Sequence, residues 1–163
     1  VETAITFLRK KGLAKADKKS GRQTGDGSVG TYIHAGNKLG VMVELNCETD
    51  FVANTPDFQE LIRDIAMHIA AAKPRFATRE EVTQETLDKE KEIFAHQAKE
   101  SGKPENIIEK IVSGKMEKFY EENCVLEQPF IKDTNITVQE LIKQKIALLG
   151  ENINIGRFAR FEI

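Results

Sequence analysis

The run Cys47-Glu48-Thr49-Asp50-Phe51-Val52 sets a carboxylate beside an aromatic ring on a short connection. That pairing suits recognition rather than bond-making. The ring can enter an apolar slot on a partner while the Asp50 carboxylate meets the polar group next to it. An apolar strand, Leu39-Gly40-Val41-Met42-Val43-Glu44-Leu45, leads into the run, and Asn54-Thr55-Pro56-Asp57 then opens an amphipathic helix. A tight strand-to-helix joint of this kind can hold a side chain out as a wedge. The ordinary alternative is a loop Phe buried beneath an N-cap Asp, and the local residues by themselves favour it.

Other reactive chemistry is thinly represented. His34, His68 and His96 sit in separate segments, with no H-x-x-x-H pair and no neighbouring nucleophile. His68, between Met67 and Ile69, reads as a hydrogen-bonded histidine at the edge of a core. Cys47 and Cys124 lie far apart without metal-ligand spacing, which suits reduced thiols. Gly25-Asp26-Gly27-Ser28-Val29-Gly30 matches the letters of the G-x-G-x-x-G dinucleotide pattern. Its context is inverted, since that pattern needs a strand before it and a helix after it. The glycines read instead as a flexible entry to a sheet. Carboxylates alternate with lysines, as in Asp88-Lys89-Glu90-Lys91-Glu92, the pattern of a solvated helix face. Catalysis, a cofactor and a resident metal all lack residues to support them.

Composition narrows the class further. The chain has 163 residues, 40% of them hydrophobic and 31% charged, which suits one domain or a domain with a small appendage. A net charge of −2 argues against nucleic-acid binding through a broad basic face. The only basic concentration is Arg9-Lys10-Lys11 followed by Lys15, Lys18, Lys19 and Arg22, which reads as a self-solvating segment. No apolar run approaches the roughly 18 residues of a membrane span.

The elements that must position these residues follow from periodicity. Val1 to Gly12 reads as a helix already under way, with Ala4, Ile5 and Leu8 on one face and Gly12 as its stop, so the sequence implies residues before Val1. Ala14 to Thr24 reads as a polar linker. Val29 to Ala35 and Lys38 to Cys47 form two strands joined across Gly36-Asn37. Residues 56 to 72 place Phe58, Leu61, Ile62, Ile65 and Ile69 on one helical face. Thr78 and Glu81 have capping-box spacing before a charged helix at about 84 to 100, and Pro104 opens another to about 122. The proline of Gln128-Pro129-Phe130 argues for a loop or a sheet edge. Thr137 and Glu140 repeat the capping-box spacing before a helix that Gly150 closes. Glu151 to Ile163 alternates as a last strand, with Gly156 as a bulge.

These elements define an α+β fold, a three-stranded antiparallel sheet packed on helices. Val41, Val43 and Leu45 alternate with Met42 and Glu44, so both faces of the central strand carry apolar side chains. That is the pattern of a sheet-to-sheet dimer contact or of a sheet buried on both sides.

The run Leu45-Asn46-Cys47-Glu48-Thr49-Asp50-Phe51-Val52-Ala53 resembles the signature of the elongation factor Ts family. The resemblance extends through Ala66-Met67-His68-Ile69-Ala70-Ala71, Ser101-Gly102-Lys103-Pro104, Glu109-Lys110-Ile111-Val112, Leu126-Glu127-Gln128-Pro129-Phe130 and Gly150-Glu151-Asn152-Ile153-Asn154-Ile155. It implies a guanine nucleotide exchange factor in translation, not an enzyme, that promotes GDP release from elongation factor Tu. The implied partner-binding residues are Thr49, Asp50, Phe51 and Val52, with Phe51 as the wedge near the magnesium and nucleotide site. His34, at the sheet tip, is a further candidate. The implied contacts are the partner's GTPase domain and its third domain. Residues 1–24 would be the last helix of an N-terminal helical module plus a linker, and residues 25–163 the core domain. Long members carry two core copies in tandem and short members pair two chains, so a single copy implies a homodimer through the sheet. The implied location is bacterial cytoplasm or plastid stroma. The competing expectation is a structural or ribosome-associated module of an organellar polyprotein, with residues 15–22 as its RNA contact.

Overall fold

The computed structural model describes residues 1–163, which divide into two compact units. The first comprises Val1–Lys73 with Pro129–Ile163, and the second comprises Pro74–Gln128.

The first unit is built on an antiparallel sheet of β1 (Asp26–Ile33), β2 (Leu39–Cys47) and β5 (Ile153–Glu162), in the order β1-β2-β5. The hairpin turns over His34 to Lys38, where Gly36 and Asn37 both have positive φ, the conformation a tight reversal requires. β1 starts at Asp26, three residues earlier than its hydrophobicity suggests. Gly27 and Gly30 are therefore paired strand residues, not a flexible entry to the sheet. Their lack of a side chain is used for close packing. A Cβ at Gly30 would lie 2.6 Å from Ile62, and one at Gly27 would collide with the Leu45 carbonyl oxygen.

Helix α3 (Pro56–Ala72) covers one face of the sheet with the stripe read from its sequence: Phe58, Leu61, Ile62, Ile65 and Ile69 are buried. Thr55 caps its start by accepting the Phe58 N–H, and Pro56 occupies the first turn. Lys73, in the left-handed region, ends it. The Arg160 guanidinium donates to the Ala70 carbonyl at 3.0 and 3.2 Å, taking up one of the carbonyls that a helix end leaves unpaired. His68 is hydrogen-bonded as read from the sequence, its Nδ1 accepting the Ile131 N–H at 3.2 Å, but it is fully buried within this core and not at its edge.

The β2–β5 register shifts between Val43 and Leu45, where β5 holds an extra residue around Gly156, as its sequence suggests. The bulge changes which side chains face inward. Ile153 and Ile155 are buried before it, whereas Phe158 and Arg160 are the more covered residues after it. Glu44 occupies the bulge. Its carboxylate accepts the Arg157 N–H at 3.0 Å and pairs with the guanidinium, which holds the carboxyl down at about 2. The sheet's other face is open: Val29, Ile33, Met42 and Phe161 are all exposed, and Gly40 pairs with both Ile33 and Phe161.

Helix α6 (Val138–Leu149) follows a two-stranded ribbon, β3 (Pro129–Phe130) and β4 (Asp133–Thr137), that places Pro129 at a sheet edge. Thr137 caps α6 by accepting the Glu140 N–H, and Gly150 ends it in the left-handed region. The Glu140 carboxylate, expected to complete the capping box, instead pairs with Arg9 at 2.8 Å. α1 (Glu2–Asp17) runs five residues beyond the stop expected at Gly12 and takes up the start of the expected linker. Gly12 lies inside the helix, against α6; a Cβ added to it would sit 3.7 Å from that of Ala147, an ordinary contact. Lys143–Asp17 adds an ion pair at 2.7 Å. Ile5 and Leu8, expected to be on a buried face, are exposed, and Ala16 is the buried residue of α1.

In the second unit, α4 (Gln84–Lys99) and α5 (Glu105–Asn123) form an antiparallel pair over a small core of Val82, Phe119 and Cys124 with Phe76, Leu87, Phe94 and Tyr120. Thr78 makes no side-chain cap. Residues 79 to 81 form a 3₁₀ turn and Thr83, one turn later, caps α4 by accepting the Thr86 N–H. Arg79 bridges Glu117 and Glu127 and lies 4.3 Å above the Tyr120 ring.

Candidate functional site

Beyond Cys47 the chain leaves the sheet and folds at once into α2 (Asp50–Ala53), a single helical turn. Its N-cap is Thr49, whose extended backbone and Oγ1, accepting the Val52 N–H, start the turn. The expected N-cap, Asp50, is instead its first residue, where a carboxylate favours the positive end of the turn. Phe51 projects from this turn with 82% of its surface exposed, so the buried-Phe alternative is incorrect. Burial falls instead on its neighbours: Cys47 and Ala53 are buried and Val52 is half-buried.

A four-residue helix has no stability of its own. This one is fixed because the carbonyls of Thr49, Asp50, Val52 and Ala53 each have a donor. The Thr49 oxygen accepts from the Cys47 thiol at 3.1 Å and from the Ala53 N–H at 3.2 Å. The Asp50 oxygen accepts from the Asn54 backbone at 3.0 Å and its side chain at 2.9 Å. The Val52 oxygen accepts from the Thr55 N–H and hydroxyl, and the Ala53 oxygen from the Gln59 amide at 2.7 Å. Burial pushes the Cys47 thiol up, which keeps it protonated and able to donate.

Two carboxylates finish the framework. Glu151 accepts the Thr49 N–H at 3.0 Å on one oxygen and the Thr49 hydroxyl at 2.7 Å on the other. Glu48 accepts the Asn152 N–H at 2.8 Å, and that donation, assisted by the nearby Arg22 charge, holds its carboxyl below the usual range. Local spacing could not reveal this pairing, because 102 residues separate Thr49 from Glu151.

The structure thus gathers Thr49, Asp50, Phe51 and Val52 into one turn at the Cys47 end of β2. His34 stands at the other end of the same hairpin. It is exposed, its Nδ1 lies 2.8 Å from the Tyr32 hydroxyl, and the two rings are 6.0 Å apart. The nine residues of β2 span the gap, roughly 27 Å at about 3.4 Å per residue. The arrangement presents an exposed ring with an adjacent carboxylate on a rigid base, and a second polar-aromatic point far from it. It holds no cluster of His, Cys, Asp and Glu suited to a metal ion, and no helix is long and apolar enough to cross a membrane.

A family model described as "Elongation factor TS" matches residues 15–163. A protein named Elongation factor Ts from Koribacter versatilis is 60% identical over 163 residues, all of this chain and 74% of that relative. Its namesake from Geotalea uraniireducens is 58% identical over 162 residues, 99% of this chain and 75% of the relative. The one from Fervidobacterium nodosum is 57% identical over 162 residues, 99% of this chain and 82% of the relative.

Proposed function

Because this chain belongs to the elongation factor Ts family, we propose that it is a guanine nucleotide exchange factor that binds elongation factor Tu and promotes release of GDP. The observation that carries this reading is the exposed Phe51 on a turn held by hydrogen bonds to its neighbours, with the Asp50 carboxylate beside it. The ring enters an apolar pocket of the GTPase domain near the magnesium and nucleotide site. Asp50 displaces polar contacts there, while Thr49 and Val52 fix the turn. The protein itself makes and breaks no bonds.

Linkage sets what such a factor must do. It binds the empty GTPase more tightly than the GDP form, and GDP weakens its binding by the same ratio. Burying one Phe contributes roughly 1.5–3 kcal/mol, about one to two decades. Further contacts must supply the remainder. The His34 tip, at the far end of the hairpin, suits a second contact on the same large partner, and we assign it to the third domain. The open sheet face of Val29, Ile33, Met42 and Phe161 suits a second copy of the chain packed sheet to sheet. Residues 1–24 act as the last helix and linker of an N-terminal helical module, and residues 25–163 as the core. The bacterial sources of the relatives favour bacterial cytoplasm over a plastid.

The test is reciprocal binding. The chain's affinity for nucleotide-free and GDP-loaded elongation factor Tu is measured by calorimetry, and GDP affinity is measured with and without the chain. The two ratios must agree, and a fluorescent GDP must leave faster in its presence. Equal affinity for both nucleotide states would refute the proposal.

A further inference from the structure

The turn that presents Phe51 is held by a part of the chain with no place in the motif itself. Past Cys47, which pairs with Asp26 on one side and Ile153 on the other, the backbone has left the sheet. The Thr49 N–H therefore has no strand partner, and Glu151 supplies one at 3.0 Å. The second oxygen of Glu151 takes the Thr49 hydroxyl proton at 2.7 Å. That donation fixes the direction of the hydroxyl. Its lone pairs then face the turn, where Oγ1 accepts the Val52 N–H at 3.4 Å.

The contact is reciprocated one residue along each segment. Glu48 accepts the Asn152 N–H at 2.8 Å, so two loops exchange carboxylate-to-amide bonds across their junction. Asn152 is buried, and its side-chain amide donates to the carbonyls of Arg22 at 2.8 Å and Ser20 at 3.3 Å. Arg22 returns to Glu48 with its guanidinium 3.5 Å away. Three stretches, 20–22, 48–49 and 151–152, thus lock at the base of α2. Charged acceptors make the stronger hydrogen bonds, and two of them act here within two residues of the exposed ring's turn.

We propose that Glu151, with Asn152 and Glu48 behind it, is a positioning residue for nucleotide exchange: it holds the Thr49 cap so that Phe51 is presented in its binding orientation before the partner arrives. This rests on the reading of Phe51 as the inserted group. Without the clamp, only a fraction of molecules present the ring correctly, and apparent affinity falls by that fraction. Once bound, the partner selects the correct orientation, so the saturated complex releases GDP at the parental rate.

The experiment measures GDP release from elongation factor Tu against chain concentration for the parent, Glu151→Ala, Glu151→Gln, Thr49→Ser and Phe51→Ala. Amide hydrogen exchange of residues 48–53 is followed in the same proteins. Glu151→Ala is expected to raise the half-maximal concentration about tenfold, leave the saturating rate within about twofold, and speed amide exchange of 48–53 about tenfold. Thr49→Ser, which keeps the hydroxyl that Glu151 and the Val52 N–H share, is expected to keep the parental amide protection of 48–53. Glu151→Gln keeps the shape but turns an N–H donor toward one of its partners, and it is expected to reproduce the shift if the alanine variant does not fold. Parental half-maximal concentration or parental amide protection in both Glu151 variants, with Phe51→Ala impaired, would overturn the clamp alone. A fully active Phe51→Ala would overturn the insertion reading and the clamp's role with it.

Discussion

Replacing Phe51 by Ala should separate function from stability, because the ring is on the molecule but hardly of it. A fully buried Phe→Ala change costs about 3–5 kcal/mol. Phe51 leaves 82% of its surface in solvent, so the packing lost is a small fraction of that, less than about 1 kcal/mol. For a chain of this size 1 kcal/mol corresponds to about 2–4 °C in Tm. The variant should therefore melt within about 4 °C of the parent, while GDP release at saturation slows by about one to two decades, the worth of one ring moved from water into an apolar pocket. Phe58→Ala is the control: that ring is fully buried beneath the sheet and should cost the full core value. The assay pairs thermal unfolding by circular dichroism with stopped-flow release of fluorescent GDP from elongation factor Tu. A Phe51→Ala loss of Tm matching that of Phe58→Ala would refute the exposed, mounted ring. Unchanged release in a stably folded variant would refute its entry into the partner.

Introducing charge on the open sheet face, as Met42→Lys or Phe161→Lys, should convert a dimer to a monomer by sedimentation equilibrium without loss of Tm in the monomer; a parental mass would remove that face from the interface. Alkaline stability should depend on Cys124, whose thiol burial pushes from 9.0 up to about 11 in the folded state. The folded chain holds this proton more tightly than the unfolded chain, so the contribution is complete below pH 9 and is lost as pH rises from 9 to about 11. Urea unfolding at pH 8 and pH 10.5 should show a steeper fall for the parent than for Cys124→Ala, by no more than about 3 kcal/mol.

What the sequence determined lies within a few residues of its cause. The α3 stripe from Phe58 to Ile69, the Thr137 cap, the Gly150 ending and the Gly36-Asn37 reversal are local patterns, fixed by the 3.6-residue period or by backbone conformation, and each stands in the structure where the residues imply. The candidate run 49–52 was legible for the same reason, as an aromatic-acidic joint between a strand and a helix. Its resemblance to a family tied the joint to a partner.

Tertiary structure decided what depends on which surface meets which. Gly12 reads as a stop, yet α1 continues through it to Asp17, tied to α6 by the Arg9–Glu140 and Lys143–Asp17 ion pairs on either side. Phe51 has the hydrophobicity of a core residue, but α2 faces it outward while Cys47 and Ala53 are buried. Thr49 rather than Asp50 became the cap, because Glu151 takes both the Thr49 N–H and its hydroxyl proton. The alternation of β2 put apolar side chains on both faces, and the placement of α3 showed that the face of Val41, Val43 and Leu45 is the covered one. Propensity acts between neighbours in sequence, whereas burial and hydrogen-bond partnership are settled between segments far apart in the chain. A residue's type therefore indicates what it can do, and the packing of distant segments determines whether it is left free to do it.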